Sequence, residues 1–194
     1  AKEVIAKVHQ TEKTLTWYIT ETQRDGSHGG WLEGMPFKLK GEERLKEKIA
    51  DQLGITPAMK PEEAIGKVHD AIRYTFCFES ENYSDGYWDV KRRLEAHDYR
   101  MVYSKNHWRD DLQYKGVNTR WTTPDGQRFE VQFHTAESFH AKQDVTHGCY
   151  ERIRNPLTSN DERGELEALQ QEVCSWITTP DEAQNIPDHR MGGR

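Results

Sequence analysis

No stretch of this sequence approaches the ~20 consecutive apolar residues that cross a bilayer, so the expectation is a soluble chain with no membrane partner. Hydrophobic residues make up only 34% of the 194, and mean hydropathy is -1.00, so the core must lean on bulky anchors. Six Trp, eight Tyr and six Phe supply them. Cysteine is scarce. Cys77, Cys149 and Cys174 show no C-x-x-C spacing, which removes the usual zinc patterns. Three buried thiols is the simplest reading; a Cys149–Cys174 link is open only to an exported chain. Basic charge is also in short supply. A net charge of -6 argues against a general nucleic-acid binder, though not against a local basic pocket for one nucleotide. The chain starts at Ala1 rather than Met, which suggests a processed product whose export signal would no longer be visible.

What the sequence does contain is organised around Phe129-Glu130-Val131-Gln132-Phe133-His134-Thr135. The period of two puts Phe129, Val131 and Phe133 on one face of a strand and Glu130, Gln132 and His134 on the other. A carboxylate, an amide and an imidazole in a row suggest a cleft. The alternative is a strand with a water-washed polar face, and alternation alone does not choose between them.

Along the chain, residues 2–23 read as an amphipathic helix, followed by a hinge at Asp25-Gly26-Ser27-His28-Gly29-Gly30. An extended Phe37-Lys38-Leu39-Lys40-Gly41 leads into a helix from Glu42 to Leu53. Lys38, Lys40, Arg44 and Lys48 can converge near its N-terminus, whose dipole already favours an anion. A solvated charged helix is the competing reading, because Glu42, Glu43 and Glu47 sit there too. Pro61 opens a short helix. A strand over Ile72–Phe78 carries Arg73 and Thr75 on its polar face. A helix over 87–96 and a strand over 100–105 come next.

Asn106–Gln113 is a polar loop. It reads as a mobile lid over nucleotides, a nuclease-like His/Asp loop being the alternative. Tyr114–Trp121 reads as a strand with Tyr114, Gly116, Asn118 and Arg120 on one face and Gly116 leaving room for a ring. Pro124-Asp125-Gly126 makes it a hairpin with the central strand. Thr135 begins a helix through Ile153. His134, His140 and His147 lie six and seven residues apart, which fits no usual zinc pattern. Ser159–Glu162 is a capping box for a last helix. The order implies an α+β fold, a largely antiparallel sheet with helices packed on one side. It forms one domain over 1–178, with core 35–155, helix 160–177 and a polar tail over 179–194.

Four segments resemble one family in the same order. Lys38-x-Lys40-x-x-x-Arg44-Leu45-x-x-Lys48-Ile49 has the spacing of the donor-ATP segment of RelA/SpoT-type alarmone synthetases. Asp70-Ala71-Ile72-Arg73 resembles their Asp…Gly-Ile-Arg strand, and Tyr114–Thr119 looks like their G-Y-x-S-L-H-T motif. Glu130-Val131-Gln132-Phe133-His134-Thr135 is similar to their E-V-Q-I-R-T. The wording is nearest to the secreted nucleotide 3′-pyrophosphokinases of actinomycetes.

The resemblance implies a nucleotidyltransferase-like mixed sheet and a Mg²⁺-dependent transfer of pyrophosphate. ATP would be the donor and the ribose 3′-hydroxyl of a purine nucleotide the acceptor. It assigns Lys38, Lys40, Arg44 and Lys48 to the donor phosphates, with Arg100 in place of a missing arginine at position 38. Glu130, Asp70 and Arg73 become catalytic, with Asp70 and Glu130 holding the metal. Tyr114 would stack on the acceptor base, with Lys105, Lys115, Asn118, Gln132 and His134 around the acceptor. The family pattern separates its Asp and Arg by five residues, whereas Asp70 and Arg73 are three apart. Asn118 for His and His134 for Arg make the acceptor pocket less basic, which admits adenine nucleotides. The resemblance also implies secretion, with a cytoplasmic location as the alternative. Two rival functions remain: a nucleotidyltransferase acting on a macromolecule, and an inert nucleotide- or RNA-binding module. Oligomeric state is not readable from the sequence.

Overall fold

The computed structural model describes residues 2–26 and 28–191; Ala1, Ser27 of the expected hinge and residues 192–194 of the expected tail lie outside them. Among the described residues, β1 (Trp31–Glu33), β2 (Arg73–Phe78), β3 (Arg100–Asn106), β4 (Val117–Thr122), β5 (Arg128–Thr135) and β6 (His189–Arg190) form one sheet in the order β1-β2-β5-β4-β3-β6. In that sheet the β2–β5 pair is parallel and the other pairs are antiparallel. Helices α1 (Lys2–Asp25), α2 (Glu42–Ile55), α3 (Pro61–Lys67), α4 (Tyr83–Ala96), α5 (Ala136–His140), α6 (His147–Arg154) and α7 (Asn160–Ser175) flank it. This is the expected α+β architecture, except that helices cover both faces of the sheet rather than one: α1 and α4 pack on the aromatic face and the helical run after β5 lies over the polar face.

The aromatic faces of β2 and β5 explain the core. Tyr74, Phe76 and Phe78 lie beside Phe129, Val131 and Phe133, with Val117 and Trp121 of β4 on the same side, all buried. The Phe76, Phe78 and Phe133 rings lie parallel, with centroids 6.1 to 6.4 Å apart. On that face Tyr87 of α4 meets the Phe133 ring edge-on at 4.9 Å, and the Tyr74 hydroxyl reaches Thr16 of α1 at 2.9 Å. Burial of bulky rings against two helices compensates for the low apolar content. The Pro-Asp-Gly turn joins β4 to β5, with Gly126 at φ 88°.

Four further expectations are corrected. Tyr114–Gly116 is not in β4, because the Asp111 carboxylate accepts the N–H groups of Gln113 (2.8 Å) and Tyr114 (3.1 Å) and holds a turn there. Residues 135–153 do not form one helix: residues 141–145 are a π-helical turn, with Thr146 N–H bonded to the Ala141 carbonyl at 2.8 Å. Residues 179–190 are not a loose tail. Ala183 and Ile186 are buried, and β6 pairs with β3. The 106–113 loop is anchored rather than mobile: the buried Asn106 amide donates to the Ala183 and Ile186 carbonyls at 2.8 Å each, and Trp108 is fully buried. All three cysteines are buried and free, so Cys149 and Cys174 are not linked.

Candidate active site

The polar faces of β2, β4 and β5 share one side of the sheet. In register, Arg73 of β2 sits beside Glu130 of β5, and Glu130 opposite Arg120 of β4; Thr75, Gln132 and Asn118 form the next rung. Glu130, Gln132 and His134 are exposed by only 9%, 5% and 0%, so this face is roofed rather than washed by water. The roof is the helical run after β5. Thr135 caps it reciprocally with Ser138, at 3.1 and 3.0 Å, which swings the chain back over the sheet. Between sheet and roof lies a pocket of about 480 Å³ whose lining includes Arg73, Tyr114, Asn118, Glu130, Gln132 and Lys142.

Each oxygen of Glu130 has one donor. Arg73 Nε lies 3.0 Å from Oε2, and Gln132 Nε2 lies 2.7 Å from Oε1. Lys142 Nζ in turn donates to Gln132 Oε1 at 2.5 Å. A lysine only donates, so it fixes the Gln132 amide with its NH₂ toward the carboxylate. On the other side Arg73 Nη2 is 3.5 Å from Asp70 Oδ2, which also accepts from Lys40 Nζ at 2.8 Å. Burial would raise the Asp70 pKa, but the Lys40 hydrogen bond and the charges of Lys40, Lys48 and Arg73 hold it below the usual carboxylate range. Two carboxylates sharing one guanidinium offer hard oxygen donors of the kind that hold Mg²⁺ together with substrate phosphates. Among the described residues no cluster of three or more His, Cys, Asp or Glu side chains could hold a metal without such help.

Tyr114 lines the pocket from the loop before β4. Its hydroxyl is 2.8 Å from both Asn118 Oδ1 and His134 Nε2. The phenol's pKa is raised well above its ordinary value by burial and by the Glu130 charge, so it stays protonated. His134 does not reach the pocket: its other nitrogen meets Ser138 Oγ at 2.9 Å, and burial keeps the ring neutral. It is a prop beneath Tyr114. The ring for which Gly116 leaves room is this imidazole. A Cβ at position 116 would come 3.0 Å from His134 Cε1 and 2.8 Å from the Phe133 carbonyl oxygen.

The expected site residues divide. Asp70, Arg73, Glu130, Gln132, Asn118 and Tyr114 come together, with Lys40 and Lys48 beside Asp70. Lys38 turns instead to Glu12 of α1 at 3.5 Å, and the exposed Arg44 pairs with Glu47 along its own helix. Lys105 pairs with Asp188 at 2.9 Å, and Lys115 donates to the Asp111 carbonyl at 2.7 Å. Arg100 lies in a separate shallow hollow with Glu95, Asp98 and His189. Reading by spacing overlooked Lys142, because the π-helical turn that aims it is not encoded in a helical repeat; such turns favour functional sites. It also overlooked Arg128, which shares the Glu130 face and donates to the His69 ring at 3.3 Å.

No family model matches the sequence, and no curated protein matches it. Solved structures do. A chain of the complex between the Type VI effector Tas1 and its immunity protein is 19% identical, with TM-score 0.59, covering 90% of this chain and 92% of that one. A GTP pyrophosphokinase family protein from Streptococcus pneumoniae is 16% identical, with TM-score 0.55 and coverage of 89% and 84%. Small alarmone synthetase 2 from Bacillus subtilis is 14% identical, with TM-score 0.53 and coverage of 88% and 90%. The chain therefore shares the fold of these small alarmone synthetases, and its four ordered motifs resemble those of RelA/SpoT-type proteins.

Proposed function

We propose that the protein transfers pyrophosphate from ATP to the ribose 3′-hydroxyl of a purine nucleotide, with Mg²⁺ as cofactor. The observation that carries this reading is the Arg73–Glu130 pair, set between the Lys40–Asp70 pair on one side and the Tyr114 pocket on the other. In the reaction the 3′-oxygen bonds to the β-phosphorus of ATP, the bond from that phosphorus to the bridging α-phosphate oxygen breaks, and AMP leaves with its electrons. Such a transfer needs positioning and charge neutralisation more than covalent catalysis.

Glu130 is fixed at both oxygens by Arg73 and Gln132, and it takes the proton of the 3′-hydroxyl. Arg73, Lys40 and Lys48 place positive charge beside the donor phosphates. Tyr114 offers its ring to the acceptor base, and Asn118 holds the Tyr114 hydroxyl. Asp70 and Glu130 would hold Mg²⁺. When bound, the ion neutralises charge on the transferred group. Secretion rests on the sequence resemblance to exported nucleotide 3′-pyrophosphokinases, and fractionating a producing culture would test it.

Incubation with ATP, GTP and Mg²⁺ followed by separation of products tests the activity. AMP with a 3′-pyrophosphorylated nucleotide is expected. Released pyrophosphate would mean nucleotidyl transfer, and unchanged ATP a binding module; either would overturn the proposal.

A further inference from the structure

The two lysines expected to meet the acceptor's phosphates are both taken by protein groups, Lys105 by Asp188 and Lys115 by the Asp111 carbonyl, and neither lines the pocket. That leaves the pocket short of positive charge. Among its described lining residues Arg73 is shared by Glu130 and Asp70, while His107 is held by Asp111 at 2.7 Å and His147 lies 3.8 Å from Glu151. Lys142 differs from all of these. Its ammonium meets two neutral groups, the Gln132 amide oxygen at 2.5 Å and the Phe139 ring at 5.6 Å from its centroid, and no carboxylate within ion-pair distance among the described residues. Asn118 is in register with Gln132, so Lys142 stands over the rung that carries the Tyr114 pocket, one rung beyond Glu130 and away from Lys40.

We propose that Lys142 is the acceptor-phosphate ligand, and that the pocket recognises its acceptor as a nucleoside carrying one phosphate, further phosphates adding little. This rests on the reading of the pocket as the acceptor side of a pyrophosphate transferase. The physical case is charge balance. Arg73 and Lys142 face Glu130 and Asp111, so the lining is near neutral and holds one cation not matched by a direct carboxylate contact. That cation is partly desolvated: burial, aided by Arg73 and opposed by Glu130, brings the Lys142 pKa down to about 8. A phosphate would restore the counter-charge that burial removed. The Gln132 bond holds the amine in place and leaves its other protons available to a ligand.

Calorimetric titration of adenosine, AMP, guanosine, GMP and GDP, without donor, tests this. The wild type should bind the monophosphate of the preferred purine roughly 10- to 100-fold tighter than its nucleoside, the range for one charge-assisted hydrogen bond. GDP should gain little over GMP. Lys142→Met should abolish the preference for monophosphate over nucleoside, and Lys142→Arg should retain it; unchanged circular dichroism would confirm folding. A preference that survives in Lys142→Met, or a GDP affinity far above that for GMP, overturns the inference even in an active enzyme. Loss of the preference in Lys142→Met without any transfer product would instead leave the inference standing and remove the proposed reaction. If none of the five ligands binds, both fall.

Discussion

Arg73 and Glu130 face each other across the parallel β2–β5 pair, Nε 3.0 Å from Oε2, and Asp70 and Gln132 extend that contact on either side. Arg73 also reaches Asp70, while Gln132 holds the second oxygen of Glu130, so the carboxylate is oriented at both oxygens. A carboxylate held this way can accept a proton without reorganising its surroundings.

Glu130→Gln should therefore lower kcat by roughly 10²- to 10⁴-fold, the usual worth of a positioned base, while leaving the Kd for ATP within a few-fold. Steady-state kinetics with a parallel binding titration checks it. A fully active variant would remove Glu130 from the role of base.

Tyr114→Ala should raise the KM of the acceptor more than that of ATP, since loss of base–aromatic stacking costs about 1–3 kcal/mol. Tyr114→Phe keeps the ring and removes the contacts to Asn118 and His134. Its effect should fall mainly on thermal stability, because buried partners lose a hydrogen bond. Equal rises in KM for the two variants would show that the hydroxyl, not the ring, meets the acceptor.

Gly116→Ala should destabilise. At φ 148° and with the Phe133 carbonyl 2.8 Å from the new Cβ, either the loop or His134 must move. Overpacking of this kind costs about 1–3 kcal/mol. For a chain of this size the melting temperature should drop roughly 2–4 °C per kcal/mol. Because His134 supports Tyr114, the acceptor KM should rise as well.

Stability should fall as the pH drops below about 6.5, the ordinary imidazole value. Burial lowers the pKa of His134 far below it, and that of His69 to about 4, helped by Arg120 and Arg128. The unfolded chain then binds protons that the folded one refuses, so the contribution is complete above the unfolded value. It shrinks as pH falls toward the folded one, by up to ~1.4 kcal/mol per pH unit for each fully buried histidine. Urea midpoints at pH 7 and 5 measure it, and His134→Gln should flatten the difference. A midpoint that rises on acidification would contradict the burial of a neutral ring.

Asn106→Ala should free the C-terminal segment, since that side chain donates to the carbonyls of Ala183 and Ile186 and its oxygen accepts the Trp108 N–H at 2.9 Å. Limited proteolysis should then cut within residues 183–190 faster than in the wild type, with cleavage elsewhere unchanged. Identical cleavage rates would mean that the remaining contacts, β6 pairing, the Arg109 bonds to the Gln184 and Ile186 carbonyls and the Lys105–Asp188 pair, hold the segment without it.

Much of this was legible in the sequence because it is local. Alternation over Phe129–Thr135 set which side chains of β5 share a face, Pro124-Asp125-Gly126 set the hairpin, and Ser159 capped α7 as expected. The order of four short motifs pointed to the fold. What periodicity omits is the identity of the neighbour. Lys38, Arg44, Lys105 and Lys115 are expected phosphate ligands, yet Glu12, Glu47, Asp188 and the Asp111 carbonyl take them, and two of these four pairings, Lys38–Glu12 and Lys105–Asp188, join separate elements of the fold. Lys142 is not among the expected ligands and reaches the site through a π-helical turn. The sequence by itself determined the strands, their polar faces and the cations available to them. Only the tertiary structure decided which cations stay near the pocket, because a side chain's partner depends on how elements distant in the chain pack together, and a repeat within one element does not record that.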